Sequence, residues 1–174
     1  MMKNEAIEVL MNRRSVRKFK PEQITEEELK VVLDAGTYAP TARNLQRPFI
    51  VAVQDKETRD ALAALNASVA GMKGDPYYGA PTIILVLAPD DSYGPLDSSS
   101  VTTNMVNAAY ACGLGSCWIH RAALMFQTEE GKAMLRAWGL DDTLAGYCSI
   151  ALGYADCENP AASPRKEGYY RVIK

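Results

Sequence analysis

Five cations fall within eight residues in Arg13-Arg14-Ser15-Val16-Arg17-Lys18-Phe19-Lys20. An arginine guanidinium is planar and can hold two oxygens of one phosphate at once, and a neighbouring serine adds a short hydroxyl donor. The spacing therefore suits an anion such as a phosphate. A solvated basic run would read the same way, so this stretch alone decides nothing. Further on, Thr41, Arg43, Asn44 and Gln46 crowd hydrogen-bonding groups into a loop bounded by Pro40 and Pro48, which restrict its ends. Without other context this loop reads as a polar surface connection. Gly113-Leu114-Gly115-Ser116-Cys117-Trp118-Ile119 follows a helical stretch. Glycine there suits a backbone that takes positive φ or passes close to a ligand, although a helix cap alone would account for Gly113. Pro164-Arg165-Lys166 adds a second basic group near the end.

Taken in this order, the four segments resemble the nitroreductase family of flavoenzymes. The family pattern is an Arg-Arg-Ser-x-Arg-x-Phe opening, a Pro-Ser/Thr-x-x-Asn-x-Gln-Pro loop, a Gly-Leu-Gly-x-x-x-Ile turn and a C-terminal basic pair. The matches run from Arg13 to Lys166. The resemblance implies an α+β fold with a central, mostly antiparallel sheet flanked by helices. It also implies an intertwined homodimer with tightly bound FMN at each of two subunit boundaries and NADH or NADPH as electron donor.

On the same resemblance, Arg13, Arg165 and Lys166 bind the FMN phosphate, Ser15 and Arg17 meet the ribityl chain or pyrimidine edge, and Arg14 contributes mainly backbone. Pro40, Thr41, Ala42 and Asn44 lie against the ring from the other subunit, with Asn44 and Gln46 making polar contacts or shaping the loop. Cys117, Trp118, Ile119 and His120 pass under one ring face, offering backbone N–H groups near N5 and O4. His120 stands where the family usually has a small residue. Asn66 and Lys73 both fit loosely as a further contact. Tyr77 and Tyr78 sit in a loop that reads as the rim of a pocket or as a plain connection.

The implied activity is hydride transfer from NAD(P)H to flavin N5, then passage of two electrons to nitroaromatic, quinone or related acceptors by a ping-pong route. No side chain acts as nucleophile or base, because the cofactor carries the chemistry. Other activities of the same fold (flavin reductase, ene-reductase, reductive dehalogenase) and a non-catalytic FMN-binding or storage protein are the alternatives.

The remaining composition narrows the choice. A chain of 174 residues suits one domain spanning 1–174 with its own core. Residues 154–174 carry two prolines and few large aliphatic side chains, and read as an extension lying on a partner subunit. The net charge of −2 disfavours a broad nucleic-acid-binding surface. Four cysteines without a C-x-x-C pair and a single histidine give no metal site. Polar residues interrupt the first ten positions, and the longest apolar run, Ile83 to Ala88, is too short to cross a bilayer. A soluble cytoplasmic protein without membrane contact is expected.

The elements that must position these residues follow from periodicity. Helices are expected over Glu5 to Met11, over Glu26 to Gly36 behind a Thr25/Glu28 capping box, and over Lys56 to Ala70 behind Asp55. Others are expected over Val101 to Cys112, capped among Asp97 to Ser100, and over Thr128 to Trp138. Strands are expected at Phe49–Val53, Thr82–Leu87, Ser116–Ile119 and Gly146–Leu152, the first two buried. Gly113-Leu114-Gly115 follows a helix and not a strand, which disfavours a dinucleotide-binding Rossmann domain.

Overall fold

The computed structural model describes residues 4–174. Helices α1 (Glu5–Asn12) and α2 (Glu26–Thr37) come first, followed by strand β1 (Phe49–Val53), helix α3 (Lys56–Val69) and strand β2 (Thr82–Ala88). Helix α4 (Gly94–Ala111), strand β3 (Gly115–Ile119), short α5 (Ala122–Met125), α6 (Glu129–Ala137) and β4 (Ala145–Gly153) complete the order. The strands form one sheet in the order β1-β2-β4-β3, with every neighbouring pair antiparallel. This is the α+β architecture the sequence implies.

Strand β2 shows why the sheet is covered on both sides. Its seven residues are all buried, and because strand side chains alternate, they divide between two cores. Ile83, Leu85 and Leu87 join Leu62, Met125 and Leu135 from α3, α5 and α6. Ile84 and Val86 join Val32 from α2 and Val101, Met105 and Ala109 from α4. Strand β1 corrects the expectation of burial: it pairs only with β2, and at this sheet edge Phe49 is 48% exposed.

Local chemistry sets several ends as read. Thr25 Oγ1 accepts from Glu28 N at 3.2 Å while Glu28 Oε2 accepts from Thr25 N at 2.8 Å, which closes the capping box. Ile24 and Leu29 flank it in the same core. Asp55 and Thr128 cap α3 and α6 through their side chains.

Helix α4 departs from expectation, beginning at Gly94 and not Val101. Pro95 fits its first turn, where no N–H is needed, and Asp91 Oδ1 accepts from Tyr93 N and Gly94 N at 2.9 Å each. The serines that resemble caps, Ser98 to Ser100, are interior. Ser99, Thr102 and Thr103 donate to the carbonyls of Pro95, Ser98 and Ser99 one turn back.

Two further observations concern residues whose roles the sequence left open. Tyr77 is fully buried and cannot gate a pocket, whereas Tyr78 is exposed. Gly113 has φ +77 and stops α4, as read, but a Cβ on Gly115 would lie 3.0 Å from Val16 Cγ1. Gly115 thus makes room for the basic segment. Among the described residues no helix is long and apolar enough to cross a membrane, and no group of three or more His, Cys, Asp or Glu is placed to hold a metal ion.

Candidate functional site

The basic segment is built into the sheet edge. Arg13 ends α1, donating its N–H to Val9 O at 3.0 Å. Ser15 then pairs with Ser116 of β3 in the parallel sense, and Val16 N donates to Ser116 O at 2.9 Å. Phe19 pairs with Ala155, Lys20 N donates to Tyr154 O and Asp156 N donates to Lys18 O, both at 2.9 Å. Lys18 Nζ adds an ion pair to Asp156 at 2.6 Å. Val16 and Phe19 are buried against the core, so the segment gains apolar anchorage as well as backbone bonds.

The arginines of this segment differ in use. Arg14 folds back to donate to Met11 O at 2.8 Å and Arg13 O at 2.7 Å. Its Nε is buried without a partner. Arg13 is half-buried and Arg17 exposed. Among the described residues no carboxylate lies within ion-pair distance of Arg13, Arg14 or Arg17. Cys117 lies alongside: burial pushes its thiol pKa up, while the Arg17 charge, the Ser15 hydroxyl and the Arg13 charge pull it partly back. With its side chain buried, Cys117 has only backbone to offer a ligand. Trp118 points to the opposite sheet face, beside Cys148, and is partly exposed. Ile119 is buried, and His120 is exposed just past the last paired residue of β3.

The Pro40–Pro48 loop is a second organised structure. Arg43, Asn44 and Gln46 have φ of 53°, 54° and 51°, a region that costs a non-glycine residue roughly 1 kcal/mol or more. Hydrogen bonds offset this strain. Asn44 N donates to Thr41 O at 3.0 Å, Gln46 N to Thr41 Oγ1 at 3.1 Å, and Gln46 Nε2 to Asn44 Oδ1 at 3.1 Å. Arg47 pairs with Asp91 at 2.5 Å and lies over the Tyr93 ring, while Arg43 is exposed.

Asp97, which the sequence suggested only as a cap, is the loop's anchor. It is buried in the first turns of α4 and accepts from Ala42 N at 2.9 Å. Its other oxygen is buried and unpartnered.

Within one chain the two structures lie at opposite ends of α4. The loop meets Asp97, whereas α1, leading into Arg13, shares a groove with Tyr110 and Ala111. At 1.5 Å per residue, Asp97 and Ala111 are separated by roughly 21 Å of helix.

Arg165 and Lys166 stand apart again, on an exposed strand of chain. Among the described residues, the Arg165 guanidinium donates only to Ser163 O, at 2.5 and 3.0 Å. The extension starts close to the basic segment, since Asn159 Nδ2 donates to Asn12 O at 2.9 Å. Of the two loosely fitting contacts, Lys73 is exposed. Asn66 is fully buried and bonded on both sides of its amide, to Tyr77 and Arg121.

Comparison with known proteins identifies the family. A protein of Archaeoglobus fulgidus, provisionally named NADH dehydrogenase/NAD(P)H nitroreductase, is 29% identical over 86% of this chain and 85% of its own length. The NADPH-flavin oxidoreductase of Vibrio harveyi is 29% identical over 93% of this chain and 70% of its own. The crystal structure of a Bacteroides fragilis nitroreductase with bound FMN superposes with a TM-score of 0.86 at 27% identity, covering 99% of this chain and all of that one. The nitroreductase family profile matches residues 10–154, and the chain belongs to the nitroreductase family.

Proposed function

We propose that this protein is an FMN-dependent oxidoreductase that works as a homodimer. It takes electrons from NADH or NADPH and delivers them to nitroaromatic, quinone or related small acceptors. The observation that carries this reading is the pair Arg13 and Arg17 with Ser15, held by backbone bonds along β3 and lacking any carboxylate partner among the described residues. Such a preorganised cationic cradle fits a dianionic phosphate. The bound FMN in the related Bacteroides fragilis structure supports the same ligand.

FMN, when bound, supplies hydride and two-electron chemistry through its ring. The chain's own residues bind and orient it. Arg13 is assigned to the phosphate, and Ser15 and Arg17 to the ribityl chain and ring edge, where a guanidinium favours negative charge. Trp118, Ile119 and His120 are assigned to one ring face through their backbone. Arg165 and Lys166 reach the phosphate only when the extension settles. Its exposed Tyr169, Tyr170, Val172 and Ile173 favour a second copy as the surface it settles on. Pro40, Thr41, Ala42, Asn44 and Gln46 belong to the loop anchored at Asp97, at the opposite end of α4 from the helix that leads into Arg13, so they are assigned to the ring from a second copy.

The test is the visible spectrum of the purified protein, followed by anaerobic NADPH or NADH. A flavin band that bleaches within turnover time supports the enzyme. A band that persists identifies an FMN-binding protein without this activity, and colourless protein that refuses added FMN contradicts the reading.

A further inference from the structure

Beneath the turn that follows β3 runs an unbroken chain of side-chain hydrogen bonds. Arg121 Nε donates to Asn66 Oδ1 at 2.8 Å, and Asn66 Nδ2 donates to Tyr77 OH at 3.1 Å. Tyr77 OH donates to Ser149 Oγ at 3.1 Å, and Ser149 Oγ donates to Ile119 O at 3.0 Å. Asn66, Tyr77 and Ser149 are fully buried.

The direction of every bond is set by its first member. An arginine only donates, so Asn66 must turn its oxygen to it and its NH₂ to Tyr77. The phenol, having accepted, directs its single hydrogen to Ser149, and the serine directs its own to a carbonyl, which only accepts. Met125 Sδ lies 3.2 Å from Asn66 Nδ2 and 3.6 Å from Tyr77 OH, but a thioether is a weak acceptor and does not compete.

The chain therefore carries the polarity of a half-buried guanidinium to a single peptide carbonyl. Among the described residues no carboxylate pairs with Arg121. Hydrogen bonds in series polarise one another, most strongly away from bulk water. Amide resonance passes polarisation of the Ile119 carbonyl to the N–H of the same peptide, which belongs to His120. Both ends of the relay fall on one short turn, Ile119 and Arg121, with His120 between them.

We propose that Arg121, Asn66, Tyr77 and Ser149 are positioning residues forming a one-way relay that fixes the Ile119–His120 peptide and strengthens its N–H as a donor to the electron-rich edge of a bound flavin. This rests on the flavin reading above. A cluster that merely fills the core would stabilise the fold and leave the donor strength of one peptide unchanged.

The relay is tested with Arg121→Gln, Arg121→Lys and Ser149→Ala in the full-length dimer, by two measurements. These are the reduction potential of bound FMN and the carbonyl ¹³C resonance of Ile119 with and without FMN. Arg121 lies at the mouth of the core, so its variants keep the fold if Ser149→Ala does not. Arg121→Gln and Ser149→Ala are expected to shift the two-electron equilibrium of bound FMN about tenfold toward the oxidised form, about 30 mV. Lysine at 121 should restore most of that shift, and the Ile119 resonance should move in Arg121→Gln whether or not FMN is present. An equilibrium within about twofold of wild type in Arg121→Gln that retains FMN, or an unmoved Ile119 resonance, overturns the relay. If the wild-type protein takes up no FMN, the flavin reading fails on its own, and the Ile119 resonance alone decides the relay.

Discussion

The molecule carries two basic segments suited to one phosphate, and they are built in opposite ways. Residues 13–20 are fastened to β3 and to the end of β4 by backbone bonds, an ion pair and the buried side chains of Val16 and Phe19. Beyond Asp156, where the last of those bonds falls, the chain is exposed through to Lys174, and among the described residues the Arg165 guanidinium hydrogen-bonds only to Ser163 O, two residues back. The first segment has met the entropic cost of ordering its cations during folding, whereas the second must meet it on binding or assembly. Cations of the same type and a similar expected role should therefore differ in what their removal costs.

The largest effect is expected at the fastened end. Arg13→Ala removes a preorganised charge-assisted contact of about 1.5 to 3 kcal/mol, so FMN affinity in a fluorescence titration should fall about tenfold to a hundredfold. The melting temperature of the cofactor-free protein should hold. A fall no larger than that of Arg165→Ala would erase the contrast. Next, Gly115→Ala presses a methyl against Val16, which lies 3.0 Å from the position it would take. Overpacking of this kind costs about 1 to 3 kcal/mol, read by denaturant unfolding. FMN binding should weaken with it, because the basic segment is what Val16 holds.

At the loose end, Arg165→Ala should lower FMN affinity by about tenfold or less without changing unfolding. The smallest effect tests the frame itself. Donation from Thr25 N, then from the Tyr154 hydroxyl, holds the Glu28 carboxyl below its ordinary value of 4.5. Tyr154 also accepts from Lys20 N at the end of the basic segment. A folded-state pKa depressed in this way contributes stability above the unfolded value, which is lost as pH falls through the folded one. Glu28→Gln should accordingly lower stability slightly at neutral pH and flatten the acid limb of the stability profile below about pH 4.5, so that variant and wild type converge at low pH.

Features that close within a few residues were readable in advance. The Thr25/Glu28 capping box needs only three positions, and the strand at β2 follows from an unbroken apolar run. Features that close over long separations were not. Tyr77 looked like a pocket rim beside glycines and a proline, but its partners Asn66 and Ser149 lie 11 and 72 positions away. Asp97 looked like a cap for α4, yet its partner, Ala42 N, lies 55 positions earlier. The serine hydroxyls near the start of α4 misled for a different reason, since back-bonding inside a helix, as from Ser99 to Pro95 O, and capping outside it use the same side chains. Nothing short of packing shows that Gly115 makes room for Val16.

The central claim is that one site is built from Arg13 of one copy and the Thr41–Gln46 loop of another. Mixed dimers test it most directly, with Arg13→Ala in one chain and Asn44→Ala in its partner, separated by different affinity tags before FMN titration. One of the two sites in each mixed dimer should bind FMN with wild-type affinity, while both parent dimers are weakened at every site. Mixed dimers weakened at both sites, each like one of the parents, would place both patches in the same chain and contradict the account.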